Sequence, residues 1–314
     1  MAKKSRTKAR DAAAPAEGEV GPRQPCPCGS GKRYKACHGA PGGARTPFVK
    51  RPFEGLPSEC DVIALRELVP AATAPLQVSG TDRSVVLCSL LPMAAPAMVR
   101  ASGEVWLGLQ VQHAFGDPAR DLGAVLTAAL EQAERGEPGV VGLTADPGPG
   151  PRLQDLVTGD RLDVTVHEGF DYWIADVEDK DAMAAALEQA NASVNPTVKL
   201  ASVEAAYWTN VGTKEHLRWV MPEPEDQLLD ALARLHAAGK DDLAPGSRLV
   251  GMFRAHGLLA PVWDLPVGTG AEVLEEPAAR FAADLAEALA STEELTAAER
   301  AARQGLANRQ VTIR

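Results

Sequence analysis

Long apolar runs are missing from this chain. The most apolar stretch, residues 85–99, is interrupted by Pro92 and Pro96, and a transmembrane helix needs about 20 apolar residues in succession. The N-terminus also lacks the apolar centre of a secretion signal. Lys3, Lys4, Arg6, Lys8 and Arg10 run directly into Asp11-Ala12-Ala13-Ala14-Pro15, which no signal peptide would do. Both absences lead to the expectation of a cytoplasmic protein. Aromatic residues are few, at 4% of 314, and there are only five cysteines, too few for a disulfide-held scaffold.

Catalytic signatures are missing as well. There is no G-x-x-x-x-G-K-[ST], no G-x-S-x-G, no H-E-x-x-H and no strand-linked G-x-G-x-x-G, so the common nucleotide, hydrolase and metalloprotease sites are excluded. Gly148-Pro149-Gly150-Pro151 is a loop whose prolines have no N–H to offer a phosphate. The nearest catalytic pattern is Asp163…Glu178-x-Lys180, formally the paired acids and lysine of a metal-dependent nuclease. Residues 176–181 form a dense acidic run between a strand and a helix, however, where Asp and Glu serve as turn residues and caps. His113, His167, His216, His236 and His256 are scattered, with His167 and His216 on strand-like runs that could converge. Cys60 and Cys88 sit in apolar surroundings and read as small core residues. Trp106, Trp173, Trp208, Trp219 and Trp263 each fall in a strand-like run and read as packing. No catalytic residue is assigned.

Charge is divided unevenly. Residues 1–55 carry 12 Lys/Arg against 4 Asp/Glu, a net of +8, which leaves 20 basic and 38 acidic residues, a net of −18, for the remainder. A basic arm on an acidic body either reaches an external polyanion, folds back on its own body, or is simply solvated.

Within that arm lies Cys26-Pro27-Cys28-Gly29-Ser30-Gly31-Lys32-Arg33-Tyr34-Lys35-Ala36-Cys37-His38. Thiolate and imidazole are the ligands of closed tetrahedral zinc sites, and three cysteines with one histidine is a standard set. Gly29-Ser30-Gly31 lets the chain turn tightly. A helical turn over 33–36 would then bring Cys37 and His38 round to the metal held by Cys26 and Cys28. So short a segment has no core of its own, so Zn²⁺ would supply its folding energy. Three cysteines leave one over from any disulfide pairing.

These residues resemble the SEC-C motif, a small zinc-binding module found at the C-terminus of the translocase ATPase SecA and in unrelated bacterial proteins. The pattern C-x-C-x8-C-[HC] with an internal G-S-G-K is met by Cys26, Cys28, Cys37 and His38. The resemblance implies that these four are ligands of a structural zinc and that the module docks on partners such as the SecB chaperone, anionic lipid or the ribosome. Here the module is near the N-terminus and no translocase motor accompanies it. A SEC-C motif followed by a longer Ala-rich α/β region also resembles an uncharacterised actinobacterial family.

The chain divides into a basic tail (1–23), the zinc module (24–40), a Gly/Pro basic linker (41–57), a body (58–290) and a C-terminal helix with a basic tail (291–314). Two subdomains would meet near 145–160. Helical spacing of Ala and Leu predicts helices over 60–68, 118–135, 181–192, 224–238 and 276–290, and a last one from a Ser291-x-x-Glu294 capping box to about Gly305. Alternation predicts strands over 83–91, 104–113, 162–168, 170–177, 203–210, 215–221, 248–255 and 258–265. The recurring theme is two strands and then a helix, so the fold class is α+β, an antiparallel or mixed sheet layer with amphipathic helices.

The functional expectation is a cytoplasmic adaptor. Its zinc module, with Lys32, Arg33 and Lys35 on the surface, docks on a ribosome or a Sec-related assembly, and the body takes a second partner. The alternative is an enzyme of unknown reaction, addressed to its place of work by the module. A third reading closes the arm on its own body.

Overall fold

The computed structural model describes residues 21–24, 33–36, 49–175, 177 and 181–313. The chain divides into two compact units, Met1–Phe48 and Val49–Arg314. The larger unit is a mixed α+β fold with two six-stranded sheets.

The first sheet is built from β1 (Ala72–Pro75), β2 (Val85–Cys88), β3 (Ala97–Val99), β4 (Val105–Gly108), β5 (Gly139–Val141) and β6 (Thr165–Val166), in the order β5-β3-β4-β2-β1-β6. Helices α1 (Glu59–Glu67), α2 (Pro118–Glu134) and the single turn α3 (Leu153–Leu156) accompany it. The second sheet contains β7 (Thr197–Lys199), β8 (Ala206–Asn210), β9 (Glu215–Trp219), β10 (Arg248–Ala255), β11 (Leu258–Leu265) and β12 (Gln310–Thr312), in the order β12-β10-β11-β9-β8-β7. Its helices are α4 (Asp181–Asn191), α5 (Glu225–Ala237), α6 (Glu275–Ala290) and α7 (Ala297–Ala307). None of the described helices is long and apolar enough to cross a membrane.

Helix α2 shows how local sequence sets an element. Asp117 accepts a hydrogen bond from the Arg120 amide, and Pro118 occupies the first helical position, where its missing N–H costs nothing. Leu122, Val125, Leu126, Ala129 and Ala133 then recur on one face and share a core with Leu87, Val105 and Leu107 of the first sheet. Each such buried leucine or valine contributes roughly 1.5–3 kcal/mol relative to exposure. Gly123 is required on this helix, because a Cβ there would lie 2.2 Å from the Pro151 carbonyl oxygen. In the second sheet, Leu228, Leu232 and Leu235 of α5 and Phe281 and Leu285 of α6 cover Leu217, Trp219 and Trp263.

Helix α1 ties the two sheets together. Its Ile63 and Leu65 lie in one core with Leu87 of the first sheet and with Tyr207, Leu258 and Ala260 of the second. Asp61, only 4% exposed, accepts from Tyr207 Oη at 2.6 Å and Lys199 Nζ at 2.7 Å.

The expected strand pairs 203–210/215–221 and 248–255/258–265 are hairpins, β8/β9 and β10/β11. The latter turns through His256 (φ 48°) and Gly257 (φ 87°), the two left-handed residues of a two-residue hairpin loop. The expected pair 83–91/104–113 is different, because β2 and β4 run parallel with β3 hairpinned onto β4. Residues 170–177 are not a strand, since Asp171–Ile174 form a 3₁₀ turn. Tyr172 Oη and Trp173 Nε1 both donate to the Leu90 carbonyl at 3.0 Å, which adjacent side chains of a strand, pointing to opposite faces, would not do. The last capping box is Thr296-x-x-Glu299 rather than Ser291-x-x-Glu294. Ser291 instead ends α6.

Candidate zinc module and polar sites of the body

In the smaller unit, residues 21–24 make a turn, with the Gln24 amide donating to the Gly21 carbonyl at 3.0 Å. Tyr34–Ala36 form the helical turn anticipated at 33–36, of 3₁₀ type. Two backbone hydrogen bonds tie the segments together: Tyr34 N to Gln24 O at 2.8 Å and Lys35 N to Pro22 O at 3.0 Å. In sequence, Cys26 and Cys28 lie between these two segments and Cys37-His38 directly follow the second. Cys26, Cys28, Cys37, His38 and Lys32 lie outside the described residues; Arg33 and Lys35 are exposed.

The body histidines do not converge. His167 Nε2 is 2.8 Å from Thr73 Oγ1, its ring packs on Tyr172, and burial holds its pKa below the ordinary value. His216 Nδ1 lies 3.0 Å from Asp264 Oδ1, His236 Nδ1 2.6 Å from Asp241 Oδ2, and His256 Nε2 2.7 Å from Glu67 Oε1. His113 is exposed. Each of these four histidines thus has its own structural partner. Asp163 is exposed, and Glu178 and Lys180 lie outside the described residues. Among the described residues no group of three His, Cys, Asp or Glu side chains is placed to hold a metal ion.

Cys88 is buried and Cys60 half-buried. Burial pushes the Cys60 thiol up to about 12, with Glu59 and Asp61 adding to it, and raises Cys88 too. Neither is a thiolate at neutral pH. Trp219 and Trp263 belong to the second core, and Trp106 backs the first sheet beneath the Arg100 guanidinium, 4.2 Å from its ring centroid.

Residues that went unremarked in the sequence do more. Glu215 is 2% exposed and accepts from the Gly268 amide at 2.6 Å, the Gly270 amide at 2.9 Å and Trp208 Nε1 at 2.9 Å. Burial alone would raise its pKa, but these donors together hold it below the ordinary value. A carboxylate at an apolar phase of a strand was the available signal. Arg66, on α1, lies at a cavity formed by segments far apart in sequence, and no local pattern marks it.

Residues 23–40 match the SEC-C motif. The chain is also 64% identical over 31 residues to the protein translocase subunit SecA of Aromatoleum aromaticum and 55% identical over 31 residues to that of Rubrobacter xylanophilus. These stretches are 10% of this chain and 3% of each SecA. No solved structure matches. Residues 52–314 match a family described as a family of unknown function, DUF5926, and with most of its length so matched the chain belongs to that family, carrying a SEC-C motif ahead of its family domain.

Proposed function

We propose that this protein is a zinc-dependent adaptor working in the cytoplasm. Cys26, Cys28, Cys37 and His38 would hold one structural Zn²⁺. Three thiolates and an imidazole suit that ion, and the backbone bonds of Pro22 and Gln24 to Lys35 and Tyr34, which bring together the segments flanking the ligand positions, support the reading. Four protein ligands leave the ion no open position, so its contribution is folding energy for a segment without a core.

The observation that carries the reading is the SEC-C match at residues 23–40 lying within the chain's basic region. Exposed Arg33 and Lys35, with Lys32 beside them in sequence, give the module a positive surface. Its first 55 residues have a net charge of +8, and three thiolates on Zn²⁺ would subtract only one. Such an arm is attracted to a polyanion, a ribosome or a Sec-related assembly at an anionic membrane surface, with a strength that falls as salt rises. The remainder, at −18, is repelled by the same surface and stays free for a second partner. SecA is a translocase subunit, but the shared stretch covers 3% of it, so only the module's docking role is carried across.

Co-sedimentation with ribosomes across a salt series tests this, wild type beside a Cys26→Ser/Cys28→Ser variant. The expected result is co-migration that weakens with salt and is lost in the variant. If wild type stays at the top of the gradient at low salt, the ribosome is not the partner.

A further inference from the structure

The body contains a cavity of about 210 Å³, larger than the roughly 150 Å³ cavity that admits benzene in an engineered protein. Its wall is largely apolar, formed by Ala95, Pro96, Leu122, Val125 and Leu143. The polar groups converging on it include Arg66 from α1 and Asp121 from α2. Apolar walls with a few placed polar groups are the usual make-up of a small-molecule site.

The two charges differ in how far they are already used. Asp121 Oδ1 accepts from Arg120 Nη2 at 2.8 Å and Oδ2 from the Phe115 amide at 2.7 Å, so both of its oxygens are engaged. The Arg66 side chain is 11% exposed, its Nη1 donates to the Leu109 carbonyl, and its Nε is ion-paired with Glu67 Oε1 at 3.3 Å. Nη2 has no hydrogen-bond partner among the described residues. Glu67 is itself shared with His256 Nε2 at 2.7 Å. The cavity therefore offers an unused donor at Arg66 Nη2, while each Asp121 oxygen already accepts a hydrogen bond. Buried hydrogen-bonding groups without partners are costly, and burial lowers the Arg66 pKa accordingly.

One lip of the cavity is strained. Met93 (φ 58°) and Ala94 (φ 50°) are consecutive non-glycine residues in the left-handed region, a conformation costing roughly 1–2 kcal/mol per residue. Gln112 Nε2 holds the turn through the Met93 carbonyl at 3.0 Å, while the Met93 side chain is 76% exposed at the rim. Strain of this kind persists where surrounding structure enforces it, often at ligand sites.

From these observations we infer that the cavity binds a small apolar monocarboxylate, with the acid on Arg66 and the hydrocarbon among Ala95, Leu122, Val125 and Leu143. An amine is disfavoured because the Arg66 guanidinium would repel it and both Asp121 oxygens already accept hydrogen bonds.

The test is calorimetric titration of the full chain with phenylacetate, 3-phenylpropionate and 4-methylpentanoate, beside phenylacetamide and phenethylamine. At least one acid should bind saturably, and phenylacetamide should bind roughly tenfold or more weakly than phenylacetate, the loss expected for a charge-assisted hydrogen bond. Arg66→Met should remove the acid preference. Because that variant also loses the bond to Leu109 O, Ala114→Trp, at an exposed position of the mouth, provides a second arm that should abolish binding without touching the core. Failure of all three acids to bind, equal binding of acid and amide, or binding unchanged in Ala114→Trp would each overturn the assignment.

Discussion

Glu215 holds the loop after β11 by accepting from Gly268 on one oxygen and Gly270 on the other, which it does best as a carboxylate. Its folded pKa is depressed below the ordinary 4.5, so its contribution is complete above that value and is lost as pH falls through the folded pKa. Glu215→Gln should destabilise the fold by about 1–3 kcal/mol at pH 7, the range for leaving buried donors imperfectly paired. It should also flatten the loss of stability that wild type shows below pH 4.5. Urea titrations of both proteins between pH 3 and 7 check this; parallel curves would show that Glu215 is not the group responsible. The alternation Glu-His-Leu-Arg-Trp made β9 legible, and it placed Glu215 in phase with Leu217 and Trp219. What receives the acid was not legible, because two of its three donors, the Gly268 and Gly270 amides, lie more than fifty residues onward.

Among the elements, α1 belongs to both sheets' packing. Nine residues contribute to a core spanning both sheets and place Asp61 against Tyr207 and Lys199 of the second sheet. Asp61→Ala would strand the buried Tyr207 phenol and the partly buried Lys199 ammonium, and should cost about 3 kcal/mol. Lys199→Met should cost less, since its side chain is 20% exposed and Tyr207 would still donate to Asp61. Chemical denaturation of the two variants reads the difference; equal losses would mean that the charge pair, and not the burial of Asp61, dominates. The main helices were legible because a 3.6-residue apolar period is local. Three-residue strands such as β3 and β5 were not, because so short a segment acquires its conformation from its neighbours in the sheet. The aromatic turn at 171–174 misled for a related reason: its residues have strand propensity, but their donors converge on Leu90 O.

Across the whole molecule the five thiols should fall into two classes. Chelation of the zinc-loaded protein should release one Zn²⁺ per chain and expose three thiols, those of Cys26, Cys28 and Cys37, to a disulfide reagent at pH 8. Cys60, with its thiol raised to about 12, and buried Cys88 should react only on denaturation. The thermal midpoint of the body should be unaffected, since the chain divides at Phe48 and Val49. Thiol titration with and without chelator and denaturant, paired with calorimetry, measures all three. Five fast thiols after chelation alone would contradict the burial of Cys60 and Cys88. No metal release would contradict the zinc reading.

The sequence alone determined the SEC-C motif, the charge division, the α+β class and the main helices. Each of these depends on residues close together in the chain, or on composition, and so is visible without folding. Only the tertiary structure decided the parallel pairing of β2 with β4 and of β10 with β12, the grip of Glu215 on a remote loop, and the cavity beside Arg66. Those features depend on which segments meet when apolar faces are buried together, and distant contacts leave no periodic trace in a single chain.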